Sequence, residues 1–378
     1  MQKALLALLI STSIFAQKPG TFTESVTCLN SPTQTYSLYL PASYSKSTPA
    51  GLILFFDPGA RGSMPVKLYQ KLADKHNLVL ACSNNSHNGP IEPSIVAGNA
   101  VLDDVFARFN IDHSFVIASG FSGGGRTATD FALRRGTLVG VISCGAALPL
   151  KDKIPFVEIV GLLDMNYQEA LSVSSYLNSI NNASFLICFY GGHEWPPVES
   201  YDDAIEYHEL RNKKLNASEF FSDQMKEVKV QMDSGYVYEA NRMVSQLLPD
   251  FAQSKEAFTI DMKLASIQRD KRFKVQATEA GLVNSKEVAM QKEFREKYKQ
   301  QITDSEFHPE YWQTFRADSN AMLAGSHYQK LAALRLIDFG WRLVAEQQYF
   351  FEQNKQDRES TMSRKILDIL STNGVKGR

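Results

Sequence analysis

Phe115-Val116-Ile117-Ala118-Ser119-Gly120-Phe121-Ser122-Gly123-Gly124-Gly125-Arg126, running on into Thr127-Ala128-Thr129-Asp130-Phe131-Ala132-Leu133, is the stretch on which the fold turns. Its apolar, β-branched start reads as a strand that stops at Gly120. A serine follows within Gly120-x-Ser122-x-Gly124, and the next residues suit a helix. Glycine tolerates crowded and left-handed backbone that other residues avoid, so a serine on such a turn is lifted off the end of the sheet with its Oγ exposed. This is the geometry of a nucleophile elbow.

Outward from the elbow, short apolar runs alternate with helical stretches. Residues 51–56 and 77–82 are continuous apolar runs too short for helices, as expected of strands buried on both faces. Residues 35–41 alternate polar and apolar and end at Pro41, the pattern of an edge strand. Downstream, 138–144, 155–161 and 183–190 are further strands, with helices expected near 63–75, 94–109 and 167–180. About seven strands alternating with helices predict a mainly parallel sheet covered by helices, an α/β-hydrolase fold.

A serine hydroxyl attacks at neutral pH only if a base takes its proton, and that base needs an orienting acid. In an α/β-hydrolase the order along the chain is nucleophile, acid, histidine, the last two on loops just past strand ends. Asp164, three residues beyond the strand at 155–161, is the acid candidate; its alternative role is to cap the helix from Tyr167. Glu158 competes but lies within the strand. His193 in Gly191-Gly192-His193-Glu194-Trp195-Pro196-Pro197 is the base candidate, since it follows the last strand, is freed by two glycines and is braced by Trp and Pro. Oxyanion donors are expected from the backbone N–H of Gly123 and from Gly59 or Ala60 in the loop Asp57-Pro58-Gly59-Ala60, although Asp-Pro-Gly also makes an ordinary turn. Trp195, Arg126 and His87 are candidate pocket residues.

Together the runs LILFFDPGARG (52–62), ASGFSGGG (118–125), VGLLD (160–164) and GGHEWPP (191–197) resemble secreted bacterial α/β-hydrolases of the feruloyl esterase and polyhydroxybutyrate depolymerase type, over roughly residues 35–208. The resemblance implies a Ser122, Asp164, His193 triad, no cofactor, and cleavage of carboxylic esters, carbohydrate-linked or polyester substrates among them. Two departures stand out. Asp57-Pro58-Gly59 replaces the family's usual His-Gly wording, and the resemblance does not extend to the long tail.

Within the 378 residues, 1–16 read as a signal peptide: Lys3 precedes an apolar stretch from Ala4 to Phe15, with a small-residue cleavage point near Ala16. The mature chain is thus expected to be exported, to the periplasm or beyond. Residues 17–208 form the expected catalytic domain, and 209–378, poor in glycine and rich in Glu, Lys, Gln and Arg, an all-helical domain with at most weak helical-repeat character. A net charge of −1 gives no electrostatic reason to expect nucleic acid or an anionic membrane surface as partner, and no run after residue 16 is long and apolar enough to span a bilayer. Cys28, Cys82, Cys144 and Cys188 fit no zinc spacing. Three of them end apolar strands, which favours free buried thiols over disulfides. The expected partner is a small-molecule or polymeric ester, with a protein partner for the helical domain also open. Two other readings share these residues: a serine peptidase of the prolyl-oligopeptidase-like type, and a non-catalytic binding protein that works through its helices.

Overall fold

The computed structural model describes residues 17–146, 148–150 and 153–371, so the expected signal peptide lies outside the described residues. One eight-stranded sheet organises the first half of the chain: β1 (Thr21–Cys28), β2 (Ser31–Leu40), β3 (Ala50–Phe56), β4 (Leu78–Ser83), β5 (Ile111–Phe121), β6 (Gly140–Cys144), β7 (Phe156–Gly161) and β8 (Ser184–Phe189). Their spatial order is β1-β2-β4-β3-β5-β6-β7-β8. β2 runs antiparallel to both β1 and β4, and every other pairing is parallel. This is the α/β-hydrolase fold. β3, β4, β6 and β7 are buried along their whole length, which is why they read as unbroken apolar runs. The strand missing from the sequence expectation is β1. Only Val26 and Cys28 of Thr21–Cys28 are buried, so its apolar signal is weak.

Helices cover both faces. α1 (Ser63–Leu68), α2 (Gln70–His76) and, later in the chain, α6 (Val198–Arg211) pack on one face, while α3 (Ile91–Arg108), α4 (Gly123–Arg135) and α5 (Tyr167–Ser179) pack on the other. All four cysteines are free thiols, Cys188 half-buried and the rest buried.

The remaining helices are α7 (Ala217–Asp233), α8 (Val237–Ser245), α9 (Leu248–Phe251), α10 (Ala257–Arg269), α11 (Lys271–Thr303), α12 (Glu310–Met322), α13 (His327–Gln353) and α14 (Asp357–Ser371). They vary from 4 to 33 residues, so no unit of fixed length repeats. The expected boundary at 208/209 falls inside α6. Beyond it, Phe220, Val228, Val244 and Ile260 of α7, α8 and α10 join Phe185 and Ile187 of β8 in one apolar cluster, so these helices extend the core of the sheet. A separate core begins only in α11, around Phe294, Trp312, Phe315 and Phe339, and Met165 from the loop after β7 packs against it. The change of texture near residue 209 therefore marks the end of the strands, whereas the change of core comes near residue 270. Among the described residues no helix is long and apolar enough to cross a membrane.

α2 is tied to α6 by charge. The imidazole of His76, almost fully buried, lies 2.7 Å from Asp202 Oδ1 through Nε2 and 3.0 Å from Glu209 Oε1 through Nδ1. Burial opposes its protonation, but hydrogen bonds to the two carboxylates outweigh it and raise its pKa from 6.5 to about 9. Because the folded value exceeds the unfolded one, this stabilisation is fully present below pH 6.5 and is lost as pH rises through 9. Thermal melts should show the midpoint falling over pH 6.5–9, with His76→Gln less stable at pH 6 and flatter across that window.

Candidate active site

Strand β5 passes straight into α4 through Ser122, which sits at φ 54°, ψ −126°. Such a conformation costs a non-glycine residue about 1–3 kcal/mol and persists only where its surroundings enforce it. Two glycines allow that enforcement. A Cβ on Gly120 would lie 2.2 Å from Gly124 O, and one on Gly124 would lie 2.0 Å from Phe56 O, the last residue of β3. The Ser122 N–H donates to Cys144 O at 2.8 Å, anchoring the turn to β6.

At that end of the sheet three side chains from three loops meet. Asp164, 1 % exposed, lies beyond the end of β7, and His193 beyond the end of β8. His193 Nδ1 is 3.0 Å from both Asp164 oxygens, and its Nε2 is 2.9 Å from Ser122 Oγ. With the proton on Nδ1, the imidazole donates to Asp164 and accepts from the serine hydroxyl, which is the tautomer a general base requires. The acid and histidine loops touch backbone to backbone, since a Cβ on Gly161 would fall 2.4 Å from Gly191 O. The N-cap position of α5 is Asn166, which makes no side-chain cap; its N–H donates to Asp164 Oδ1 at 2.8 Å, so Asp164 does not cap the helix itself. Glu158 stays inside β7, where burial holds its carboxyl well above the usual carboxylate range.

The loop after β3 is arranged differently from the expectation. Asp57 is fully buried and collects donors: the N–H of Gly59 at 2.8 Å, the N–H and Nε of Arg61 at 3.2 and 2.9 Å, and Trp195 Nε1 at 3.0 Å. The Ala60 N–H donates to Asp57 O at 3.3 Å. Gly59 and Ala60 thus spend their N–H groups on Asp57, and neither lines the cavity over Ser122. Gly123 does line it. Its N–H opens α4, where the first N–H groups of a helix lack intrahelical partners.

Beside Gly123 the structure places Asn88, which the sequence reading missed. Its side-chain amide packs so closely that a Cβ on Gly123 would lie 1.9 Å from Oδ1 and 3.6 Å from Nδ2. The Asn88 N–H donates to Pro58 O at 2.8 Å, and its carbonyl lies 2.7 Å from His87 Nδ1. In the sequence Asn88-Gly89-Pro90 signals only a turn.

A cavity of about 520 Å³ opens over Ser122. His87, Asn88, Arg126 and Glu169 line one side, and Arg295 of α11 with Phe339, Leu343 and Glu346 of α13 line another. The helical region therefore builds a wall of the site. Arg126 Nη2 donates to both Glu169 oxygens at 2.8 and 2.9 Å, and the Arg295 guanidinium stands 4.6 Å over the Phe339 ring. Trp195 does not line this cavity. It is 9 % exposed and packs on Phe55, Tyr69 and Phe121, linking the histidine loop to Asp57. Among the described residues one group has converging metal-ligand atoms, His76, Asp202 and Glu206, and the Lys75 ammonium already bridges its two carboxylates at 2.8 Å.

No family model matches the chain, and no curated protein matches it in sequence. Among solved structures it is similar to the S-formylglutathione hydrolase FrmB of Staphylococcus aureus, at 17 % identity over 53 % of this chain and 99 % of that one, with a TM-score of 0.41. Esterase B of Lactobacillus rhamnosis is similar at 14 % identity over 52 % and 89 % of the two chains, TM-score 0.41. The esterase Est2 of Thermogutta terrifontis is similar at 15 % identity over 53 % and 95 %, TM-score 0.40.

The elbow's close contacts make Gly124→Ala a severe change, because its methyl meets backbone atoms that cannot swing aside. Chemical denaturation should show a loss of at least about 3 kcal/mol or failure to fold, whereas Gly192→Ala, with no atom within 4 Å of its Cβ, should stay within about 1 kcal/mol of the parent.

Proposed function

We propose that the chain is an exported serine hydrolase that cleaves carboxylic esters through an acyl-enzyme on Ser122. The observation that carries this reading is the continuous hydrogen-bonded series from Ser122 Oγ to His193 at 2.9 Å and on to Asp164 at 3.0 Å. His193 Nε2 takes the serine proton as Oγ attacks the ester carbonyl, and Asp164 holds the ring and stabilises the imidazolium that forms. The same proton then goes to the departing alkoxide. Water repeats the sequence on the acyl-enzyme, and Ser122 is restored. The negative charge on the tetrahedral oxygen faces the Gly123 N–H; Asn88, which lines the cavity beside Gly123, supplies the second donor once its amide turns Nδ2 to the oxyanion, in place of Gly59, whose N–H Asp57 occupies. Export rests on residues 1–16, and carbohydrate-linked or polyester substrates rest on the sequence resemblance.

Purified protein should hydrolyse p-nitrophenyl butyrate and be labelled by a fluorophosphonate probe, and Ser122→Ala should lose both. Equal turnover by the two proteins overturns the reading. Asn88→Ala should lower kcat by about 10²- to 10³-fold with little change in KM, as removal of one oxyanion donor does elsewhere. Unaltered kcat in Asn88→Ala assigns the second donor to another group.

A further inference from the structure

We infer that the buried Arg335–Glu287 pair of the C-terminal helices is a positioning device for the acid loop, gripping it on both sides of Asp164 and so setting where the carboxylate meets His193. The inference rests on the triad reading.

Asp164 sits in the short connection from the end of β7 to the start of α5. Two N–H groups of that connection are held by the end of β8 and the loop after it: Leu162 N–H donates to Phe189 O at 2.8 Å and Leu163 N–H to Gly191 O at 2.9 Å. Carbonyls in it are held from the opposite direction, by helices more than a hundred residues away in sequence. Arg335 Nη1 of α13 donates to Leu162 O at 2.8 Å, and Gln291 Nε2 of α11 donates to Met165 O at 3.3 Å. The grip continues past the loop. Gln168, in the first turn of α5, donates through Nε2 to Glu287 Oε2 at 2.7 Å.

The centre of this arrangement is ionic and buried. Arg335 is 2 % exposed and Glu287 is fully buried. Nε and Nη2 of the arginine meet the two glutamate oxygens at 2.8 and 2.6 Å, and the guanidinium lies 4.4 Å over the ring of Tyr167. A buried ion pair is weak support for stability, because desolvation offsets most of the attraction and apolar residues of similar volume do as well or better. What apolar residues lack is a directed donor. Here the third guanidinium nitrogen reaches a carbonyl two residues before Asp164, while the glutamate holds a side chain four residues after it. Further along α13, Phe339, Leu343 and Glu346 line the cavity over Ser122. The helix that carries Arg335 therefore also borders the triad.

The test uses the full-length protein with Glu287→Gln, Arg335→Lys and the double variant Arg335→Met/Glu287→Met, beside Ile366→Ala, which weakens the same helical core but removes none of the hydrogen bonds to the loop. The double variant should fold yet lose about 100-fold in kcat, the scale of a misplacement near 1 Å. Its KM should stay within about threefold, and the acidic pKa of its kcat/KM profile should fall by about one unit as the carboxylate leaves the imidazolium. Arg335→Lys, which keeps a donor for Leu162 O, should recover part of the loss. The downfield proton resonance of His193 Nδ1–H, which needs no substrate, should shift in these variants and not in Ile366→Ala. An unchanged resonance and pH profile in folded Glu287→Gln and Arg335→Lys overturn the inference, as does an equal kcat loss in Ile366→Ala. Absence of both hydrolysis and probe labelling in the parent protein overturns the triad reading instead.

Discussion

Backbone crowding at Ser122 is the constraint on which the rest of this structure depends. Three chain segments pass within contact distance there: the end of β3, the end of β5 and the first turn of α4. Only residues without a Cβ at 120 and 124 let them do so. The reward for the strained φ/ψ of the serine is a hydroxyl raised above the sheet's edge, where the loops after β7 and β8 also end. Because those two strands are parallel neighbours, their following loops emerge side by side, and Gly161 lets them touch. Asp164 and His193 are brought together by sheet register.

Two ionic centres, each built on a buried carboxylate, then hold the loops. Asp57 gathers Gly59, Arg61 and Trp195, fixing the loop after β3 to the loop that carries His193. Arg335 and Glu287 fix the loop that carries Asp164 to α11 and α13. Both centres oppose the tendency of surface loops to wander, and both cost desolvation that an apolar core would not. The chemistry sits between them. Residues 209–371 accordingly serve two ends, since α7, α8 and α10 thicken the core of the sheet, while α11 and α13 wall the cavity and brace the acid loop.

Much of this was legible along the chain, and the pattern of what was not is physical. Buried parallel strands are continuous apolar runs, so β3, β4, β6 and β7 announced themselves, whereas β1, mostly solvated, did not. The glycines of the elbow and the position of Asp164 and His193 after strand ends marked the site. Trp195 was misjudged because an aromatic beside a candidate base suits a pocket and a core equally well, and only its neighbours Phe55, Tyr69, Phe121 and Asp57 decide between them. Asp57-Pro58-Gly59 reads as a turn with free N–H groups until Asp57 is seen to be buried and to take them for its own charge.

By itself, then, the sequence determined the things that local physics sets: the strand-helix alternation, the elbow that glycine alone permits, and the order of Ser122, Asp164 and His193 along the chain after strand ends. Tertiary structure alone decided which groups face Ser122 and what holds them there. Asn88, Arg295 and Phe339 reach the cavity, and Arg335 reaches Leu162, across separations in sequence that no periodicity or motif encodes. Those contacts depend on how two apolar cores pack against one sheet, and packing is a property of surfaces that exist only once the chain has folded.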